Sequence, residues 1–158
     1  MRATEVLAEL ALRGETLGCA ESLTGGALTS RLVDVPGASR ALRGGVIAYA
    51  TEVKTLVLGV PADLLAARGA VDPDVAAAMA TGVCRVLGAD WGVSTTGVAG
   101  PDPAEGKPVG TAYVGVARAG RPPVVRKLHL LGDRAQIRGA VVEDALELLH
   151  RELGEAAT

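Results

Sequence analysis

Thr16-Leu17-Gly18-Cys19-Ala20 is a short apolar run, and Glu21-Ser22-Leu23-Thr24-Gly25-Gly26 follows it before the helix-forming stretch Ala27–Val33. The reading is a buried strand, a tight turn and a helix that Pro36-Gly37 ends. On the N-terminal side, residues from Ala3 to Arg13 place Val6, Leu7 and Leu10 on one helical face, and Gly14 supplies the stop. On the C-terminal side, Gly45–Ala50 reads as a second strand, followed by helical patterns at Glu52–Leu58 and Ala62–Arg68. Asp72 before Pro73 is a helix start, with Val75, Met79, Val83 and Val86 at helical spacing up to Gly88. Trp91–Thr96 is a further strand, Gly97–Pro108 a Gly- and Pro-rich loop, and Thr111–Ala117 and Val124–Leu130 pair as a hairpin. Asp133 caps a last helix with Ile137, Val141, Val142, Ala145, Leu148 and Leu149 on one face. Helices interleaved with about five strands predict an α/β fold, a three-layer α/β/α sandwich with a mixed sheet.

The 158 residues suit one domain spanning 1–158, with no linker, repeat or low-complexity tract. A chain 49% hydrophobic and 22% charged is globular rather than disordered. No apolar run approaches the roughly 18 residues of a membrane helix, and the N-terminus lacks a secretory signal, so the expected location is the cytoplasm without membrane association. Cys19 and Cys84 lie far apart in apolar segments, which favours reduced thiols over a disulfide. His129 and His150 share no ligand spacing with them, so no metal is expected. The net charge of −2 and the absence of Phe argue against nucleic acid and for a small-molecule partner.

Common motifs fail in turn. Gly106-Lys107 is preceded by Pro101 and followed by Pro108 where a phosphate loop needs Gly and Ser/Thr, and no G-x-G-x-x-G is present. Ser22 lacks the glycines of a nucleophile elbow. Tyr49 and Lys54 are five apart, not four as in short-chain dehydrogenases. What remains is Ser22 at the mouth of a helix, where unpaired backbone N–H groups and the helix dipole could hold an oxyanion. Ser22 or Thr24 serves equally as an ordinary helix cap. Gly25-Gly26 costs about 1 kcal/mol per residue in helix propensity, which makes sense where backbone approaches a ligand.

A serine nucleophile needs a base, and Lys54 is the candidate. Its pKa, ordinarily near ~10.4, would have to fall by about 3, or about 4 kcal/mol, through desolvation or neighbouring positive charge. Tyr49 could relay a proton or orient the amine. A solvated Lys54 and a core Tyr49 are the structural alternatives, and Glu21 and Glu52 read as charges at helix starts. Thr95-Thr96-Gly97-Val98-Ala99-Gly100-Pro101 offers hydroxyls and backbone N–H groups to an anion such as phosphate, or is an ordinary turn. Arg134 and Arg138 share a face at a helix N-terminus and could grip a phosphate, or pair with neighbouring acids.

Ala20-Glu21-Ser22-Leu23-Thr24-Gly25-Gly26, Val35-Pro36-Gly37-Ala38-Ser39, Gly44-Gly45-Val46-Ile47-Ala48-Tyr49, Glu52-Val53-Lys54, Leu58-Gly59-Val60, Gly69-Ala70-Val71, Thr96-Gly97-Val98-Ala99-Gly100-Pro101, Lys107-Pro108-Val109-Gly110-Thr111 and Gly132-Asp133-Arg134 together resemble the C-terminal domain of the competence/damage-inducible protein CinA. The resemblance covers nearly the whole chain. It implies a nicotinamide-nucleotide amidohydrolase that converts nicotinamide mononucleotide to nicotinate mononucleotide and ammonia in pyridine nucleotide salvage, with no metal or cofactor. The family's serine, tyrosine and lysine map onto Ser22, Tyr49 and Lys54. Thr24, Gly25, Gly26, Thr96, Gly97, Ala99, Gly100, Arg134 and Arg138 are the substrate-binding candidates. The resemblance also implies a three-layer sandwich and a homo-oligomer.

Departures are few: Leu23 stands where the family commonly has cysteine, Ala50-Thr51 replaces the usual Ser-Asn, and the loop Asp102–Gly106 is shorter than in many relatives. Many members carry a pyrophosphatase-like N-terminal domain, and the expectation is that this chain lacks that activity. Two other functions fit the same residues: a nucleotide-binding module whose catalysis has lapsed, and an amidase for another small phosphorylated amide.

Overall fold

The strand-turn-helix unit forms as expected in the computed structural model, which describes all residues from Met1 to Thr158. β1 (Leu17–Glu21) is buried at every position and lies between two parallel neighbours, β2 (Leu42–Ile47) and β3 (Trp91–Gly97). β4 (Thr111–Arg118) and β5 (Val124–His129) extend the sheet antiparallel, giving the order β2-β1-β3-β4-β5. Five strands and six helices make the mixed three-layer α/β sandwich.

Alternation along the central strands builds the two outer layers. Leu17 and Cys19 of β1, with Val93, Val114 and Val116, pack under α1 (Arg2–Arg13), α2 (Ala27–Val33) and α6 (Arg134–Ala156). Ala20 faces the other way, joining Leu58, Val60, Leu65, Met79 and Val83 beneath α3 (Thr51–Leu58), α4 (Ala62–Arg68) and α5 (Pro73–Leu87). α5 rides unusually close to the sheet. A Cβ at Gly92 would stand 2.2 Å from the Ala80 carbonyl oxygen, and one at Gly115 would stand 2.8 Å from that of Ala76, so neither position tolerates a side chain. Ser94 Oγ donates to the Ala76 carbonyl at 2.6 Å and pins the same approach.

The N-caps read from sequence are formed. Asp72 accepts from Asp74 N–H, and Asp133 forms a capping box with Gln136 at the start of α6. β2 departs from expectation: it runs over Leu42–Ile47 rather than Gly45–Ala50. Gly44 and Gly45 sit inside the strand, paired with Gly18 and Cys19. Ala48 N–H still bonds to the Glu21 carbonyl, but the carbonyls of Ala48 and Tyr49 turn to a lysine side chain, and the strand stops there. No helix is long and apolar enough to cross a membrane.

After β1 the chain leaves into the α2 layer, whereas after β2 it leaves into the α3–α5 layer. Adjacent strands whose connections diverge to opposite faces leave a crevice beyond their carboxyl ends, the usual ligand position in open α/β sheets. Ser22 follows β1 at that point, and Ala48-Tyr49 follow β2.

Candidate active site

A cavity of about 270 Å³ opens at this crevice, walled by Ser22 and Leu23 from the first turn, Tyr49, Thr51 and Lys54 from the second, and Thr96–Gly100 from the end of β3. Ala70-Val71, Asp102, Ala104, Glu105 and Arg134 complete it. Lys54 is buried, with 1% of its surface exposed, and Ser22 with 8%. Lys54 Nζ lies 3.0 Å from Ser22 Oγ, 2.8 Å from the Ala48 carbonyl and 3.2 Å from that of Tyr49.

Three oxygen atoms surround the amine. Carbonyls only accept, so Ala48 and Tyr49 take two N–H donors from the amine. An ammonium donates its third N–H to Ser22 Oγ, and once that proton is lost the lone pair faces the Ser22 hydroxyl. Burial holds the Lys54 pKa below its ordinary value, against the opposing pull of Glu105 and then Glu52. The arrangement is that of a hydroxyl beside a general base.

Glu21 explains why the turn keeps its shape. Its carboxylate is fully buried and accepts from Thr24 Oγ1 (2.6 Å), Gly26 N–H (3.2 Å), Leu28 N–H (2.9 Å), Thr29 N–H (3.0 Å) and Thr29 Oγ1 (2.6 Å). The charge at the helix start is thus an internal cap for α2. Gly25 and Gly26, at φ +58° and +103°, let the chain curl around it. The expectation that α2 offers its free N–H groups to a ligand is corrected here, because Glu21 already takes them. In the turn itself, Ser22 N–H bonds to Thr95 and Gly25 N–H to the Ser22 carbonyl, whereas Leu23 N–H and Thr24 N–H have no acceptor in the protein.

The other sequence candidates divide. Thr96, Gly97, Ala99 and Gly100 line the cavity, with Thr96 Oγ1 donating to the Ala70 carbonyl at 2.8 Å. Thr24, Gly25 and Gly26 lie outside it; the Thr24 side chain is fully buried between Glu21 and Thr95. Arg134 reaches the mouth, donating to the Gly100 carbonyl (2.6 Å) and the Tyr49 hydroxyl (3.2 Å). Arg138 does not line the cavity. Its guanidinium is spent on the carbonyls of Leu23 (2.8 Å) and Thr24 (2.9 Å), bracing the Ser22 turn from behind. Tyr49 is 60% exposed, and its phenol bonds to Arg134 and to neither Ser22 nor Lys54. A proton relay through the phenol is not formed; the Tyr49 backbone carbonyl is what orients the amine.

Sequence reasoning placed Leu23 in the pocket wall but not Asp102, Glu105 or Ala70-Val71. The Pro- and Gly-rich composition of 101–108 marked a loop but carried no sign of where it would fold. No three His, Cys, Asp or Glu side chains converge as a metal site would require. Both cysteines are free, and burial pushes the Cys19 thiol up to about 12, out of reactive range.

Comparison with known proteins agrees with this architecture. CinA-like proteins of Frankia casuarinae and Gemmatimonas aurantiaca are 55% identical over 148 residues and 50% identical over 153 residues, covering 94% and 96% of this chain. The chain spans only 34% and 36% of those relatives' length. A solved CinA-superfamily protein from Klebsiella pneumoniae superposes with a TM-score of 0.93 at 31% identity, covering 98% of this chain and 96% of its own. A competence/damage inducible protein from Agrobacterium tumefaciens gives a TM-score of 0.92 at 30% identity, covering 97% and 93%. The profile of the CinA C-terminal domain matches residues 1–153, and the chain belongs to that family.

Proposed function

We propose that the chain is a serine amidohydrolase that converts nicotinamide mononucleotide and water to nicotinate mononucleotide and ammonia. The observation that carries this reading is the buried Lys54 amine, held by two carbonyls with its remaining valence toward Ser22 Oγ at 3.0 Å. Ser22 Oγ bonds to the carboxamide carbon while its proton passes to Lys54 Nζ. The carbonyl pair moves onto oxygen, and the oxyanion is taken by the free N–H group of Leu23 in the cavity wall. As the C–N bond breaks, Lys54 returns the proton to the departing nitrogen, which leaves as ammonia. Water then attacks the ester, giving its proton to Lys54, and the ester C–O bond breaks to restore the Ser22 hydroxyl.

Arg134 is the phosphate contact in this reading. It stands at the cavity mouth bound only to a carbonyl and a phenol, with no carboxylate partner. The test is ammonia release from nicotinamide mononucleotide by purified protein. Ser22→Ala is expected to abolish release while leaving nucleotide binding and the thermal melt intact. Equal turnover by that variant removes the nucleophile assignment.

A further inference from the structure

Two carboxylates stand in the wall of a cavity whose lysine must shed a proton, an arrangement that needs a reason. Glu105 is the one non-glycine residue at positive φ, +56°, a conformation that costs about 1 kcal/mol or more outside glycine. Its two carboxylate oxygens accept from Ala70 N–H and Val71 N–H, each at 2.9 Å, and Lys107 Nζ is 3.8 Å from Oε2. Asp102, three residues earlier, is exposed in the cavity wall and makes no side-chain hydrogen bond or ion pair. Glu105 favours the protonated form of Lys54, so taken alone it hinders the base.

The opposite charge lies at the other end. Arg134 is the first residue of α6, in one outer layer, whereas Ala70-Val71 lead into α5 in the other. Ser22 and Lys54 sit between them, beyond the carboxyl ends of β1 and β2. The cleft therefore runs from a cationic rim to an acidic wall with the hydroxyl near its middle. Around Lys54 the charged groups are Glu52 on its own helix, Asp102 and Glu105 on the loop, and Arg134 from α6.

We infer that, given the amidohydrolase reading above, this cavity selects amides on a positively charged ring, with Asp102 and Glu105 facing the ring cation and Arg134 facing the phosphate. A ring cation beside the two carboxylates cancels the pull of Glu105 on the Lys54 proton, and its own like charge disfavours the ammonium. The ligand that brings the charge thus frees the base. The same ring charge withdraws electrons from the carboxamide carbon that Ser22 attacks. A neutral ring of equal shape leaves Glu105 acting on Lys54.

Nicotinamide mononucleotide and its dihydro form differ in ring charge but share carboxamide, ribose and phosphate. Calorimetric titration of the Ser22→Ala protein is expected to give about tenfold tighter binding of the charged form. Asp102→Asn, which breaks no bond within the protein, is expected to narrow that gap at least about threefold while leaving the dihydro form unchanged. Glu105→Gln should narrow it further. Equal affinity for the two forms, or a gap untouched by both substitutions, overturns the charge selection; ammonia release by the unaltered enzyme then still upholds the hydrolase. If no ammonia is released from any charged amide, the hydrolase reading fails and this inference falls with it.

Discussion

Lys54 Nζ is 2.8 Å from the carbonyl oxygen of Ala48, the residue directly after β2. The same carbonyl that ends the strand therefore fixes the Lys54 amine, the base of the proposed reaction. Lys54→Met keeps the length and removes the amine, so ammonia release is expected to fall by at least ~10²-fold. It strands two carbonyls, at about 1–3 kcal/mol each, but also removes a buried amine, so the fold should persist. Lys54→Arg should be equally inactive, because a guanidinium does not give up its proton. Turnover by the arginine variant within tenfold of the native rate would show that the lysine is no base.

The lowered Lys54 pKa has two consequences for pH. In the proposed reaction Lys54 acts only without its proton, so kcat/KM is expected to rise with pH through a value below the ordinary lysine range and then level off. Stability moves in the same direction. Between the folded and unfolded pKa values the unfolded chain binds more protons, so folding gains as pH rises through that window and loses as pH falls through the folded value. Urea unfolding of native protein and Lys54→Met at neutral pH and near pH ~10 reads this directly. The native protein should gain on the variant at the higher pH; a constant difference would mean that burial leaves the amine unshifted.

How much of this was legible in the sequence depended on the range of the interaction. α1, α5 and α6 announced themselves by apolar periodicity, and Asp72 and Asp133 by cap chemistry that acts within four residues. β2 was displaced by three residues because Gly44-Gly45 reads as a break, while their parallel pairing with Gly18 and Cys19 is a long-range fact. The neighbourhood of Ser22 and Lys54 came from family resemblance, since nothing local ties residues 32 apart. Arg134 and Arg138 are four apart on one helix face, yet one reaches the cavity mouth and the other the backbone of Leu23 and Thr24. Spacing gives the face and not the target. Glu105 had no signal at all, because its acceptors' partners, Ala70 N–H and Val71 N–H, lie more than thirty residues away.

Glu21 gathers five donors around one buried carboxylate, and its removal should be felt in the whole turn. Glu21→Ala leaves the Gly26, Leu28 and Thr29 N–H groups and the Thr29 hydroxyl without an acceptor, so a loss of about 3–5 kcal/mol is expected. Thr29→Val, which removes one hydroxyl donor, should cost about 1 kcal/mol. Chemical denaturation measures both. A Glu21→Ala protein within 1 kcal/mol of native would mean that water replaces the carboxylate freely and that the turn is not held by it.

Arg134 and Arg138 separate phosphate binding from turn geometry. Arg134→Ala removes a guanidinium whose present partners are the Gly100 carbonyl and the exposed Tyr49 hydroxyl. It is expected to raise KM for nicotinamide mononucleotide by about tenfold or more while changing KM for the riboside, which lacks phosphate, by less than about threefold. Arg138→Ala releases two carbonyls of the turn that carries Ser22, so it should lower kcat for nucleotide and riboside alike and reduce stability by about 1–3 kcal/mol. The ratio of the two substrates' kcat/KM is the deciding quantity, because a general weakening of the fold cancels in it. A ratio shifted by Arg138→Ala and not by Arg134→Ala would place the phosphate at the back of the turn and empty the cavity mouth of its assigned role.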